Sequence, residues 1–417
     1  MKLVKRKKSL ILLSVLFLFA GAGCDSLLDV ENPNSLTEDD IYNPSSATGL
    51  KNGLLHQLMV GMSWTYAATS TTSDELYWTG SYESYSDFDS GNLDVNTNEI
   101  VVAGFPEISQ ARYMGDLAVE TLTEIDGDGE LGDPTDLTRS LIYSALVKII
   151  IAENYDNFVI SDRQDTSPPV GADNMDSFFT EAITLLDRAV SRSENSTLEA
   201  QALGLRARAK HSLGMWAKLN PAGSVPANPL VSGSGASADA EAAIALMDGD
   251  YKATFNYQSA LFTNYMAGQV NSRGEITPID PIFSDLKTGE PDPRATVIIS
   301  DFTDIATYTE NYPPYTWVSA REMHLIVAEE AVGSDNLRAV DHINFVRGLD
   351  GLPEVTAGDD LVAFIEHERR ANLFFQGRRL LDMYRFGTSA PQWDASQDPV
   401  GTLLPIPQNE VEANPEI

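Results

Sequence analysis

The sequence predicts a mainly α-helical protein: a tetratricopeptide-like helical superhelix carrying an irregular, loop-rich ligand-binding face. Three observations predict it. Apolar residues recur at three- and four-residue spacing through much of the chain beyond residue 107. Breaks rich in Gly, Pro, Ser and Asp separate these segments, so successive helices must pair with their neighbours to bury their apolar faces. Two long stretches, 63–100 and 220–316, largely lack the helical period and are rich in aromatic, hydroxyl and acidic residues or in Pro and Gly. Long stretches of that kind are usually functional or cap something.

Taken in order, residues 1–8 are basic, 9–20 are almost wholly apolar, and Gly21-Ala-Gly23 precedes Cys24. A charged region, a short apolar region and a small-residue cleavage site make 1–23 a secretion signal. The apolar part is shorter than the ~20 residues a spanning helix needs. Residues 24–45 read as an extended tether and 46–62 as a helix. Leu141, Ile142, Ala145, Leu146, Ile149 and Ile150 mark one helical stripe, and Phe179, Ile183, Leu186 and Val190 another. Ser196-Thr-Leu-Glu199 reads as a capping box opening a third helix, with Leu198, Ala202, Leu205, Ala209, Leu213 and Trp216 facing inward. A loop over 220–238 leads to a short Ala-rich helix at 239–247, and 250–316 holds short strands. Helices follow at 319–332, 336–347 and 360–376, and Gly377 separates the last from 378–386. No clean 34-residue repeat is visible, so the expected organisation is one domain over 46–417.

The charge excludes one class of function. The chain has 28 basic and 61 acidic residues, a net of −33. Five of the basic residues lie in the first eight positions, so the remainder carries −38. Such a body repels phosphate backbones, and nucleic acid is not expected as a partner. Only six lysines remain beyond residue 23, a composition suited to high salt, where self-repulsion is screened. Cys24 is the single cysteine, which rules out an internal disulfide and cysteine metal sites. Its position after the signal makes it the expected lipid anchor, attaching an exported protein to a membrane by acyl chains alone.

Several blocks, in order along the mature chain, resemble the SusD/RagB family of outer-membrane nutrient-binding lipoproteins. They are Cys24-Asp-Ser-Leu-Leu-Asp29-Val-Glu-Asn-Pro33; the Ala/Arg/Leu helix around Ala207-Arg208-Ala209 and Met215-Trp216; Arg321-Glu-Met-His-Leu-Ile-Val-Ala-Glu-Glu330; and Asn344-Phe-Val-Arg347 with Gly351-Leu-Pro353. Glu366-His-Glu-Arg-Arg370, Phe375-Gln-Gly377-Arg378-Arg379 with Arg385-Phe-Gly387, and the tail Leu404-Pro-Ile-Pro407 complete them. The resemblance implies a superhelix of tetratricopeptide-type pairs with an irregular ligand face. It also implies an outer-membrane, lipid-anchored location facing the exterior, and a SusC-like TonB-dependent transporter as partner. The chain is shorter than many members that bind long glycans, which leaves its substrate open.

Candidate ligand contacts come from the irregular stretches. Trp64, Tyr66, Tyr77, Trp78, Tyr82, Tyr85 and Phe88 crowd together with Asp74, Glu75, Glu83 and Asp87. Aromatic faces stack on the C–H faces of sugars, and carboxylates accept hydroxyl hydrogen bonds. Trp78, with Tyr77, Tyr82, Trp64 and Asp74, is therefore the expected centre. Tyr308, Tyr312, Tyr315 and Trp317 flank Pro313-Pro314 as a second cluster, of which Tyr315 and Trp317 join the expected site. The competing reading is that these rings pack segments that lack a helix. No cofactor is expected. Glu124, Asp126 and Asp128 with Gly129 resemble the front half of a calcium loop, but position twelve is Thr135 instead of Glu, so an acidic turn is the better reading. The five histidines are isolated in sequence, Glu366–Arg379 reads as structural ion pairs, and no catalytic signature stands out. The function expected is capture of a nutrient, an oligosaccharide in the first place, and its delivery to the transporter. The alternatives are a helical scaffold for a peptide or protein and a glycoside hydrolase, for which carboxylate abundance is the sole support.

Overall fold

The computed structural model describes residues 40–417 except 162–165, 194, 259–261, 280–282 and 395–396. The signal segment, Cys24 and most of the tether lie outside the described residues. The architecture is mainly helical. Its principal helices are α1 (Ala47–Thr72), α2 (Ser84–Asp89), α3 (Glu99–Gly127), α4 (Pro134–Asn154), α5 (Asp176–Arg192), α6 (Ser196–Leu219) and α7 (Ala236–Ile244). After the irregular middle come α8 (Pro293–Phe302), α9 (Ala320–Ala331), α10 (Asn336–Leu349), α11 (Leu361–Asn372), α12 (Arg379–Phe386) and α13 (Gln408–Ala413).

The superhelix is a chain of neighbour contacts: α1 on α3, α3 on α4, then α4–α5, α5–α6, α6–α7, α7–α9 and α9–α10. Helix α4 is buried nearly all round from Asp136 to Asn154, as expected of a helix in contact with α1, α3, α5 and α6. Close approach of α1 and α3 rests on Gly61, where a Cβ would sit 2.9 Å from the Ile108 Cα. Asn195, not Ser196, caps α6: its side chain accepts from Thr197 and Leu198 N–H, the service the capping box was expected to give.

Two corrections concern the irregular segments. Helix α1 runs ten residues past the expected end, through a Thr/Ser-rich stretch, because its hydroxyls are satisfied locally. Thr65, Thr69, Thr71 and Thr72 donate to the carbonyls of Gly61, Thr65, Ala67 and Ala68. Helix α3 begins at Glu99 and contains Pro106, which masked its first turns in the sequence. What remains irregular folds into two antiparallel ribbons. β1 (Leu76–Trp78) pairs with β3 (Ile276–Pro278), Trp78 opposite Ile276. β2 (Lys252–Phe255) pairs with β4 (Tyr315–Ser319), and the register shifts opposite Ala253 and Thr254 around Trp317. The irregular middle also contains α8, which was not anticipated.

Candidate functional site

The β1–β3 ribbon carries the centre of the expected site. The Glu275 carboxylate accepts from the backbone N–H of Ser81 (2.8 Å) and Tyr82 (2.7 Å), and its carbonyl from those of Thr79 and Gly80. These bonds fold 79–82 back over β3. Tyr77 is exposed, whereas Trp78 and Tyr82 are half-buried. Trp78 packs its body on the core, and its indole N–H is shielded from solvent with no hydrogen-bond partner among the described residues. An unpaired donor of that kind is costly unless something accepts from it. Tyr82 stands edge-on to Tyr85 at 5.7 Å, with the Arg273 guanidinium 5.8 Å from its ring. Trp64 stacks on Tyr265 at 3.4 Å, and the Tyr85 hydroxyl donates to that of Tyr265 at 3.5 Å. The structure thus links Trp64 to Tyr82 through two tyrosines. Burial pushes the Tyr265 phenol up to about 12 and raises those of Tyr82 and Tyr85, so all three are neutral hydroxyls at pH 7.

Three expected contacts are built into the framework instead. Asp74 is buried and accepts from Arg379 Nε (2.6 Å) and Nη2 (2.9 Å), with Arg370 at 2.7 Å. Burial alone would raise its pKa, but the two guanidinium groups hold it below the usual value. Trp317 is buried and stacked on Phe255 at 5.1 Å. Tyr315 is buried with its hydroxyl 3.5 Å from the Met266 sulfur. The calcium reading fails for a similar reason: Glu124 and Asp126 are in the last turn of α3, and Asp126 is bidentate to Arg192.

A cleft of ≈ 540 Å³, which sequence reasoning missed, opens where the irregular face meets the helices. Val297, Ile298 and Phe302 of α8 form part of its wall with Tyr308, Pro313 and Phe375. Arg321 lies at its polar end, donating to Asp250 (2.7 Å) and Asp350 (2.6 Å). The only non-glycine residues with positive φ among those described, Thr309 (54°) and Phe375 (59°), lie beside Tyr308 and in the wall. Strained backbone of this sort persists where the surroundings enforce it, and it clusters at ligand sites. Here the turn at Phe375 directs its N–H to Glu75 Oε1 at 2.7 Å. The one local signal was Pro313-Pro314 between Tyr308 and Tyr315, all four of which line the cleft.

Beneath both features lies a buried ion-pair network. Glu322 pairs with Arg378, Glu329 with Arg385, Glu368 with Arg294 and Arg347, and Asp382 with Arg369 and Arg385. The histidines are less isolated than the sequence suggested: His211 meets Glu329, His367 meets Asp292 and His324 meets His342, each at 2.9 Å. Asp285, Asp292 and His367 converge, yet Arg347 and Arg294 already occupy the aspartate oxygens. That group is an ion-pair cluster.

No protein-family model and no curated protein matches the sequence. Solved structures do match. A SusD-like carbohydrate binding protein from Bacteroides vulgatus superposes with a TM-score of 0.65 at 13% identity, over 90% of this chain and 97% of its own. A SusD superfamily protein from Bacteroides fragilis gives 0.62 at 16%, over 91% and 100%. One from Bacteroides thetaiotaomicron gives 0.62 at 14%, over 90% and 98%. Among the described residues no helix is long and apolar enough to cross a membrane. The chain has the fold of the SusD superfamily.

Proposed function

We propose that this protein is a surface-exposed outer-membrane lipoprotein, anchored through Cys24, that captures an oligosaccharide and delivers it to a SusC-like TonB-dependent transporter. It binds and does not cleave. The observation that carries the reading is the Tyr77–Trp78–Tyr82 surface on a SusD-like fold, with an exposed ring, two half-buried rings and an indole donor left unpaired among the described residues. Sugar recognition needs flat apolar faces beside hydroxyl-bonding groups. Thr79 and Thr277, whose hydroxyls lie 2.8 Å apart on the same ribbon, add donors and acceptors. The carbohydrate-binding description of the Bacteroides vulgatus neighbour agrees with this reading. Against catalysis, many buried carboxylates of the framework are spent on guanidinium groups, which leaves them poorly placed as the acid and base of a hydrolase.

The test is a glycan-binding screen of the full chain, followed by Trp78→Ala. Loss of a stacked ring should weaken binding by about 1–3 kcal/mol, with no released product and a variant that still folds, its unfolding midpoint lowered by the packing the half-buried ring gives up. Unfolding of the variant, or a ligand affinity that ignores it, would remove Trp78 from the site. Replacing Cys24 by Ser should move the protein out of the membrane fraction; retention there would refute the anchor. Copurification of a TonB-dependent channel from solubilised outer membranes tests the partner.

A further inference from the structure

The pair His324 and His342 lies outside the site described above and has no part in the proposed function. His324 belongs to α9 and His342 to α10, eighteen residues apart, and their Nδ1 atoms face each other at 2.9 Å. The His324 ring plane is fixed from outside the pair. Phe345, one helical turn beyond His342, stacks on His324 at 3.8 Å with 9° between planes. Phe345 is itself exposed, His342 half-exposed and His324 buried, so the facing nitrogens lie near the surface between two helices.

We infer that His324 and His342 form a two-imidazole site for a divalent transition-metal ion that favours right-angled ligands, Cu²⁺ or Ni²⁺. The geometry leads to that class. With metal–nitrogen bonds of about 2.0 Å, nitrogens 2.9 Å apart subtend an angle of about 90° at the metal. Square-planar and tetragonal ions take adjacent ligands at that angle, whereas a tetrahedral ion such as Zn²⁺ would need the rings to separate by a few tenths of an ångström. Two supporting features follow. Burial, with His342 next in effect, lowers the His324 pKa to about 4, and burial lowers that of His342. Both rings are therefore neutral at pH 7, the state a metal requires. The charged groups felt by His342 are Glu241 and Asp341, which favour a cation, and Arg338, which opposes it; Arg338 is in turn engaged by Glu241 at 2.7 Å. On binding, the proton shared between the two Nδ1 atoms moves to an Nε2, both Nδ1 lone pairs turn to the metal, and water fills the remaining positions.

The experiment titrates the full chain with Cu²⁺ and records its electron paramagnetic resonance spectrum. Nitrogen hyperfine structure from two imidazoles and a stoichiometry of one at this site are expected. His342→Ala should lower the affinity of that site at least tenfold and remove the two-nitrogen signal. His56→Ala, at an exposed histidine elsewhere, should leave both intact. Circular dichroism shows that the variant is folded, and His342→Gln provides a second replacement of similar size. Absence of the two-nitrogen signal in the natural protein, or its persistence in both His342 variants, would overturn the assignment.

Discussion

Between pH 5 and 8 one buried carboxyl group, Glu75, should lower the stability of the fold as the pH rises. Its side chain is buried behind the cleft, accepting from Ser70 Oγ at 2.8 Å and from the strained Phe375 N–H at 2.7 Å. Burial dominates, the two hydrogen bonds oppose it, the charge of Asp74 adds to it, and the pKa is pushed up to about 7 from 4.5. Near pH 4.5 and below, Glu75 is neutral in the folded chain and becoming so in the unfolded one. As the pH rises, the unfolded chain releases its proton first, so the folded state holds more protons and loses stability. The loss runs from about pH 4.5 to about 7 and then levels, at most ~1.4 kcal/mol per pH unit and on the order of 3 kcal/mol in all. Asp156, pushed up to about 7 by burial and then by Asp94, acts in the same direction. By contrast His324, lowered to about 4 by burial, and His342, also lowered, add stability as the pH rises toward 6.5, so the Glu75 contribution is read as the difference between the natural protein and a variant. Glu75→Gln copies the protonated carboxyl: its Oε1 can accept from Phe375 and its Nε2 donate to Ser70. Urea unfolding at pH 5, 6, 7 and 8 should give a flatter dependence for the variant and greater stability than the natural protein at pH 8. Equal slopes, or a variant weaker at pH 8, would refute a proton held at Glu75.

Two further outcomes follow from the framework and the charge. Gly377 has φ +73° and its missing Cβ would fall into the Tyr66 ring, so Gly377→Ala should cost about 3 kcal/mol or more in urea unfolding. A body of net charge −38 should gain thermal midpoint from low to high sodium chloride as repulsion is screened; a flat or falling midpoint would contradict adaptation to salt.

The parts of this fold that were legible in sequence are those whose cause is local. The stripes of α4, α5 and α6 record burial every three or four residues, and Gly377 marks a break because only a residue tolerant of positive φ fits there. The missed parts have distant causes. Nothing near Asp74 announces its ion pair, because Arg379 lies 305 residues further on. Trp317 is a core residue because Phe255 stacks on it across β2 and β4, a pairing the local sequence does not encode. The last turns of α1 looked irregular because their helical hydroxyls bond back to carbonyls four residues earlier, which leaves a polar composition inside a buried helix. The cleft is assembled from several segments, each unremarkable alone.

The network beneath the irregular face explains how a surface of loops and two short ribbons can be rigid. Arg379 and Arg370 hold Asp74 at the end of α1, and Glu75 takes the Phe375 N–H. Glu368 of α11 binds Arg294, and Arg347 of α10 binds Asp285, both partners from the irregular middle. Each contact ties a loop to the helical body by charged or backbone hydrogen bonds that are expensive to break once buried. A buried pair of this kind adds little net stability over apolar packing, but it fixes position, because a displaced guanidinium would leave a bare charge behind. Loops held so firmly can present Tyr77, Trp78 and Tyr82 in one arrangement before any ligand arrives, which lowers the ordering cost of binding. The same logic divides the aromatic residues. Trp317, its face stacked on Phe255, and Tyr315, its hydroxyl on the Met266 sulfur, belong to the support. In the proposed function it is Trp78, whose indole donor has no partner among the described residues, that is left for the ligand.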